Sequence, residues 1–259
     1  MNKKKQRAIE IIALLKTHRF LGIQDLADCL GTSHMTIRRD VRQLDLDQLV
    51  DIVPGGVMLK ESLYSDDKNY PYSLITESCL FQLEKSKIGI KAVELLEDGD
   101  FITIDSGTTT EYLARCIPEE KKLSILCYTL NVLFEIYKKK NCNIIFPGGQ
   151  YQENTMLFQS PEGLQMIQRH RTQKAFIGAT GFSDTLGVTC SNIGEPGIKQ
   201  AVMGSSLKKI LMIDSSKFGL VRPCYFAEPD DFDTIITDTN IPEKYRTYIE
   251  NLGIELIIV

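Results

Sequence analysis

From Phe101 onward the chain alternates short apolar runs with helical ones, and this constrains its fold more than any other feature. The β-type runs are FITID, SILCY, NIIFPGG, KAFIGA, KILMIDS, DTIITD and IELIIV. Between them stand TEYLARCI, NVLFEIYKK, a run over Pro161 to Arg169, another over Glu195 to Ser206, and a last over Glu243 to Asn251. Strands that are apolar without alternation are buried on both faces. Interleaved with helices, they predict an α/β domain built on a parallel sheet. Such sheets bind ligands at the carboxyl ends of their strands.

The first such end is Asp105-Ser106-Gly107-Thr108-Thr109-Thr110, directly before a helix. Gly107 lets the backbone turn closely, consecutive amides point outward, and hydroxyls stand at the helix amino terminus. Together these favour a phosphate or another anion over a merely capped turn. Further strand ends contribute Gly148-Gly149, the stretch Gly178 to Gly181, and Asp214-Ser215-Ser216-Lys217. Glu195 and Lys199 lie four apart, on one helix face, where the bland alternative is a surface ion pair. Acceptors for hydroxyls (Asp105, Asp214, Glu195) beside donors for phosphate (Ser106, Thr108, Thr109, Lys199, Lys217) suit a phosphorylated sugar or polyol.

The amino-terminal part is organised around LADCLGTSHMTIRRD, Leu26 to Asp40. It reads as two helices joined by a tight turn, with Gly31 closing the first and Ser33 capping the second. Ile37, Val41 and Leu44 form an apolar stripe, which leaves Met35, Arg38, Arg39 and Arg42 facing solvent. Guanidiniums with Ser33, His34 and Thr36 on the open side of a capped helix suit the major groove of DNA. An amphipathic helix over Lys3 to Thr17 precedes this pair. Leu49 to Leu59 breaks at Pro54-Gly55-Gly56 into a short hairpin, giving a winged helix-turn-helix.

Charge distribution agrees with that reading. The net charge is −4, but residues 1–42 carry nine Lys and Arg against four Asp and Glu, leaving about −9 for the remainder. A basic head on an acidic body is expected where only the head meets phosphate backbone. The seven cysteines are scattered without a C-x-x-C pair and the three histidines lie far apart, so no metal, cofactor or catalytic constellation is expected. No apolar run is long enough for a membrane span, and a cytoplasmic address is expected. Domain limits are expected at 1–60 for the winged helix-turn-helix, 61–79 for a linker, and 80–259 for the α/β domain, whose first helix resumes at Leu80 and runs to Leu96.

The run SHMTIRRDVRQL resembles the recognition segment of the DeoR family of bacterial transcriptional repressors. Later segments resemble that family's effector domain in the same order: D-x-G-T-T, L-N inside CYTLNV, GG, FIGATG, E-x-x-x-K, and DSSKFG with the later ITD. The resemblance implies a fold similar to ribose-phosphate isomerases and coenzyme A transferases. It also implies a non-enzymatic repressor of a carbohydrate operon, binding double-stranded operator DNA as a homo-oligomer, dimer or tetramer, and answering to a sugar phosphate. The alternative is an isomerase-like or transferase-like enzyme with a DNA-binding appendage. Two departures stand out. The wing carries Asp51, Ile52 and Pro54 where relatives have basic residues and a histidine, and Cys127-Tyr128 replaces a common Thr-Asn.

Overall fold

The computed structural model describes residues 3–18, 20–60, 72, 74–78 and 80–259. They fall into two compact units, one carrying the amino-terminal elements and one reaching from Phe81 to Val259. The linker expected over 61–79 lies outside the described residues, except for position 72 and a short helix α4, which is introduced below.

The first unit contains α1 (Lys3–His18), β1 (Phe20–Leu21), α2 (Ile23–Cys29), α3 (His34–Leu46), β2 (Val50–Val53) and β3 (Gly56–Leu59). Ile9, Ile12 and Leu15 of α1 meet Leu26 of α2, the Ile37, Val41 and Leu44 stripe of α3, and Val50, Val57 and Leu59 of the hairpin. Ser33 caps α3 by accepting the Thr36 amide at 3.2 Å. The hairpin gains a third strand that the sequence did not announce, because β1 pairs antiparallel with β3.

In chain order, the following elements are α4 (Leu74–Ser78), α5 (Gln82–Val93), β4 (Phe101–Ile104), α6 (Thr108–Cys116), β5 (Leu123–Cys127), α7 (Leu130–Ile136) and β6 (Cys142–Ile145). Next come β7 (Gln150–Gln152), β8 (Leu157–Gln159), α8 (Pro161–Arg169), β9 (Thr172–Ile177), β10 (Gly181–Ser183), β11 (Gly187–Cys190) and α9 (Glu195–Gly204). The chain closes with β12 (Ser206–Met212), β13 (Cys224–Ala227), β14 (Thr234–Thr237), α10 (Glu243–Asn251) and β15 (Glu255–Ile258). The helix expected from Leu80 to Leu96 is shorter at both ends: Phe81 sits at a φ of 50°, outside helical geometry, and the helix ends at Val93.

Seven strands form a parallel sheet in the order β15-β14-β12-β9-β4-β5-β6. Its apolar runs lack alternation because successive residues enter opposite cores. Ile102, Ile104, Ile125, Phe176, Ile210 and Met212 face α5, α6 and α7. Leu126, Ala175, Ile177, Leu211 and Ile213 face α8, α9, α10 and a small antiparallel sheet, β10-β11-β13, that covers the same side. Neither that small sheet nor the β7–β8 hairpin carries a local sequence signal.

From β4 the chain moves outward through β5 and β6, then returns to β9 on the other side of β4 and moves outward the opposite way. Connections therefore diverge between β4 and β9. In open parallel sheets the crevice outside the carboxyl ends at such a point is where ligands sit.

Candidate functional site

In the first unit, Arg38, Arg39 and Arg42 are exposed on α3 and Met35 stands out with them, 72% exposed. Ser33 and Thr36 share a hydroxyl hydrogen bond of 2.8 Å, so both are engaged in the cap as well as placed on the open side. His34, Arg38 and Arg42 line one wall of a groove of about 610 Å³, with Ile52, Val53 and Gly55 of the wing opposite. The wing adds no cation of its own at its tip: Ile52 is half-exposed and Asp51 lies 3.7 Å from Lys60.

Asp40, read only as part of the motif, has a structural task. It is buried, and its Oδ2 accepts from Arg7 Nε at 2.7 Å and lies 2.7 Å from Nη2 in an ion pair that joins α1 to α3. Its spacing carried the signal, since 37, 40, 41 and 44 all fall on the inward stripe.

In the second unit, the Asp105 to Thr110 turn leaves β4 at the divergence point and enters α6. Gly107 holds a φ of 146°, in the region glycine favours, and Gly178 at the end of β9 comes so close that a Cβ there would lie 2.8 Å from the Ser106 carbonyl oxygen. Thr110 turns its hydroxyl back onto the Asp105 carbonyl at 2.8 Å. The first-turn amides of a helix have no intrahelical acceptor, and those of Thr108, Thr109 and Thr110 stand just beyond the carboxyl end of β4.

Behind this turn lies a buried polar cluster. Lys199 Nζ donates to Asp105 Oδ2 at 2.5 Å and to the Gly178 carbonyl at 2.9 Å, and the Gly178 amide donates to the same Oδ2 at 3.0 Å. The Tyr128 hydroxyl donates to Asp105 Oδ1, which Ser106 Oγ also reaches at 3.2 Å. Glu195 Oε2 accepts from Ser106 Oγ at 3.3 Å and lies 3.7 Å from Lys199 Nζ. Glu195 and Lys199 thus form no surface pair; they are 5% and 1% exposed.

Burial pulls the Lys199 ammonium down, but the Asp105 and Glu195 carboxylates outweigh it and the net shift is upward. Burial pushes the Glu195 carboxyl up, Lys199 draws it partly back, and Asp105 adds to the rise. Burial and then Asp105 push the Tyr128 phenol well above its usual range, so it stays a donor.

Asp105 is saturated by its own protein. Two buried acceptors beside the same turn are not: Glu195 Oε1 and Asn131 Oδ1 have no hydrogen-bond partner among the described residues. Asn131 Nδ2 donates to the Gly107 carbonyl at 3.1 Å, so both side chains contact the Ser106-Gly107 turn. Asn131 was visible in the sequence only as the L-N of a familiar motif.

Other expected residues fall elsewhere. Asp214 does not join Asp105: strand alternation turns it to the opposite face, where Lys85 of α5 lies 3.9 Å from its Oδ2 and Ser216 N donates to Oδ1 at 3.1 Å. Lys217 is buried in the short turn that follows. Gly148 and Gly149 bend the chain into β7, and Gly149, at a φ of 126°, lies where a Cβ would be 2.4 Å from the Gln159 backbone. Close packing explains that glycine without any ligand.

Family models match both units: a DeoR-like helix-turn-helix domain over residues 7–62 and the DeoR C terminal sensor domain over residues 81–239. The chain is 28% identical to the deoxyribose operon repressor of Escherichia coli, across 98% of each chain. It is 32% identical to the lactose phosphotransferase system repressor of Lactococcus lactis, over 95% of this chain and 94% of that one. A ribose 5 phosphate isomerase A from Neisseria gonorrhoeae matches in structure with a TM-score of 0.40 and 16% identity, over 57% of this chain and 55% of the other.

Proposed function

The chain belongs to the DeoR family, and on that premise we propose that it is a DNA-binding transcriptional repressor of a carbohydrate operon, relieved by a phosphorylated sugar or polyol. Arg38, Arg39 and Arg42 on α3 meet the major groove, with Ser33, His34, Met35 and Thr36 at the leading end of the helix. The wing supplies little charge, so α3 carries most of the contact. Two half-sites require at least a dimer of this chain, acting in the cytoplasm where operator DNA lies.

The observation that carries the effector half is the placement of Asp105-Ser106-Gly107-Thr108-Thr109-Thr110 at the divergence point of the parallel sheet, leading into the amino terminus of α6. Phosphate lies on the Ser106 to Thr109 turn, held by backbone amides and the helix dipole. Hydroxyls of the carbon chain are read by Glu195 Oε1 and Asn131 Oδ1, the acceptors left open there. A carboxylate that already accepts from the Tyr128 hydroxyl, the Gly178 amide and Lys199 is a poor base for a substrate proton, which supports a binding site over an isomerase-like one.

Footprinting on the DNA upstream of the chain's own gene tests the DNA half. The expected result is a protected pair of half-sites spaced by whole helical turns and lost in R39A. Uniform protection without a preferred site contradicts it.

A further inference from the structure

We propose that Cys190 and Cys224 are a redox-modification site, forming a reversible disulfide that ties β11 to β13 beside α9. The two residues stand directly opposite one another in the antiparallel β11–β13 ladder. Opposite residues in such a ladder put their side chains on the same face, with Cα atoms about 4.5 or 5.5 Å apart. Either spacing falls inside the roughly 4.4–6.8 Å a disulfide spans, so the register places the two thiols within reach of one another. Both thiols are free in this structure, Cys190 buried and Cys224 partly open. Register sets this pair apart from Cys127 and Cys142 on neighbouring strands β5 and β6, where Cys142 stands opposite Leu123 instead.

The bond would fasten the strands that hold the polar cluster. Two residues beyond Cys190, Asn192 Oδ1 accepts the Gly194 amide at 2.8 Å and sets the start of α9. Two residues beyond Cys224, the Phe226 ring lies 5.2 Å from Lys199 Nζ, and the Phe226 carbonyl accepts from Gln200 at 3.3 Å. Glu195 and Lys199 lie within the covalent loop from 190 to 224.

The oxidant is a low-molecular-weight disulfide such as oxidised glutathione. Cys224, the more open thiol, attacks as thiolate, forming a mixed disulfide and releasing one glutathione thiolate. Cys190 then attacks the Cys224 sulfur, forming the protein disulfide and releasing the second. Two protein thiols lose two electrons and two protons in all, and one glutathione disulfide becomes two thiols. Burial pushes the Cys190 thiol up to about 12 and also raises Cys224, so the reaction is slow at neutral pH and accelerates roughly tenfold per pH unit in mild alkali.

The full chain is incubated with oxidised glutathione at pH 8.5, its remaining thiols are alkylated, and its tryptic peptides are mapped without reduction. Segments 175–199 and 218–244 each hold one cysteine. They are expected as one linked species, abolished by a reductant and absent from C224S. Recovery of both segments as glutathione adducts or alkylated thiols, or linked to other cysteines, overturns the proposal. Wild type alone decides between these outcomes, so the test does not depend on whether C190S folds.

Discussion

Tyr128, at the end of β5, donates its phenol hydroxyl to Oδ1 of Asp105, at the end of β4. With Lys199 and the Gly178 amide on Oδ2, this completes the carboxylate from within the protein. The Cys127-Tyr128 departure noted in the sequence therefore changes the site: the phenol takes a place that a smaller residue would leave to a ligand or to water.

Replacing Tyr128 by Phe keeps the ring and removes one hydrogen bond to a buried carboxylate. The expected loss is about 1–3 kcal/mol, read by urea denaturation. Y128N reopens Asp105 and the space beside it, and is expected to widen the range of sugar phosphates bound. An unchanged ligand range, measured by calorimetry over triose, pentose and hexose phosphates, would show that Tyr128 does not shape the site.

Lys199 is the counter-charge of two buried carboxylates. K199M strands them, and a cost of about 3–5 kcal/mol is expected. Adding D105N should recover part of that loss, since each change removes the other's uncompensated charge. Additive losses in denaturant melts would mean the pair is not coupled.

Glu195 holds its proton more tightly folded than unfolded. Stability from this group is fully present below about pH 4.3, the ordinary glutamate value, and falls as pH rises toward the raised folded value. E195Q removes that slope, so its stability relative to wild type should climb across the window and level off above it. A difference that stays flat with pH would rule out the titration.

Arg38 and Arg39 are exposed on α3 and unneeded by its core. R38A or R39A should weaken operator binding roughly 10- to 100-fold with the thermal melt unchanged. A change that removes a phosphate contact should also lower the slope of log affinity against log salt by about one, while a base contact should lower specificity. Undiminished operator affinity would move the interface off α3.

Much of the fold was legible because each run carried its own signal. The Ser33 cap and the Ile37, Val41, Leu44 stripe marked α3, and FITID or DTIITD could only be doubly buried strands. That same burial hid the site's inner geometry. Where both faces of a sheet are apolar, a run such as KILMIDS has no phase, and nothing says that Asp214 turns away from Asp105. Short strands like Gly181–Ser183 and Cys224–Ala227 are held by register with distant partners, which leaves no local period to read. The inward spacing of Asp40 marks its burial, but its pairing with Arg7, thirty-three positions away, leaves no local signal.

The most direct measurement is fluorescence anisotropy of the full chain on its upstream DNA, titrated with matched pairs of phosphorylated and free sugars. A phosphorylated member should release the DNA while its unphosphorylated twin does not, and T109A should blunt that release. Equal action by both twins, or no release by any phosphorylated sugar, would contradict a phosphate site at the Asp105 to Thr110 turn.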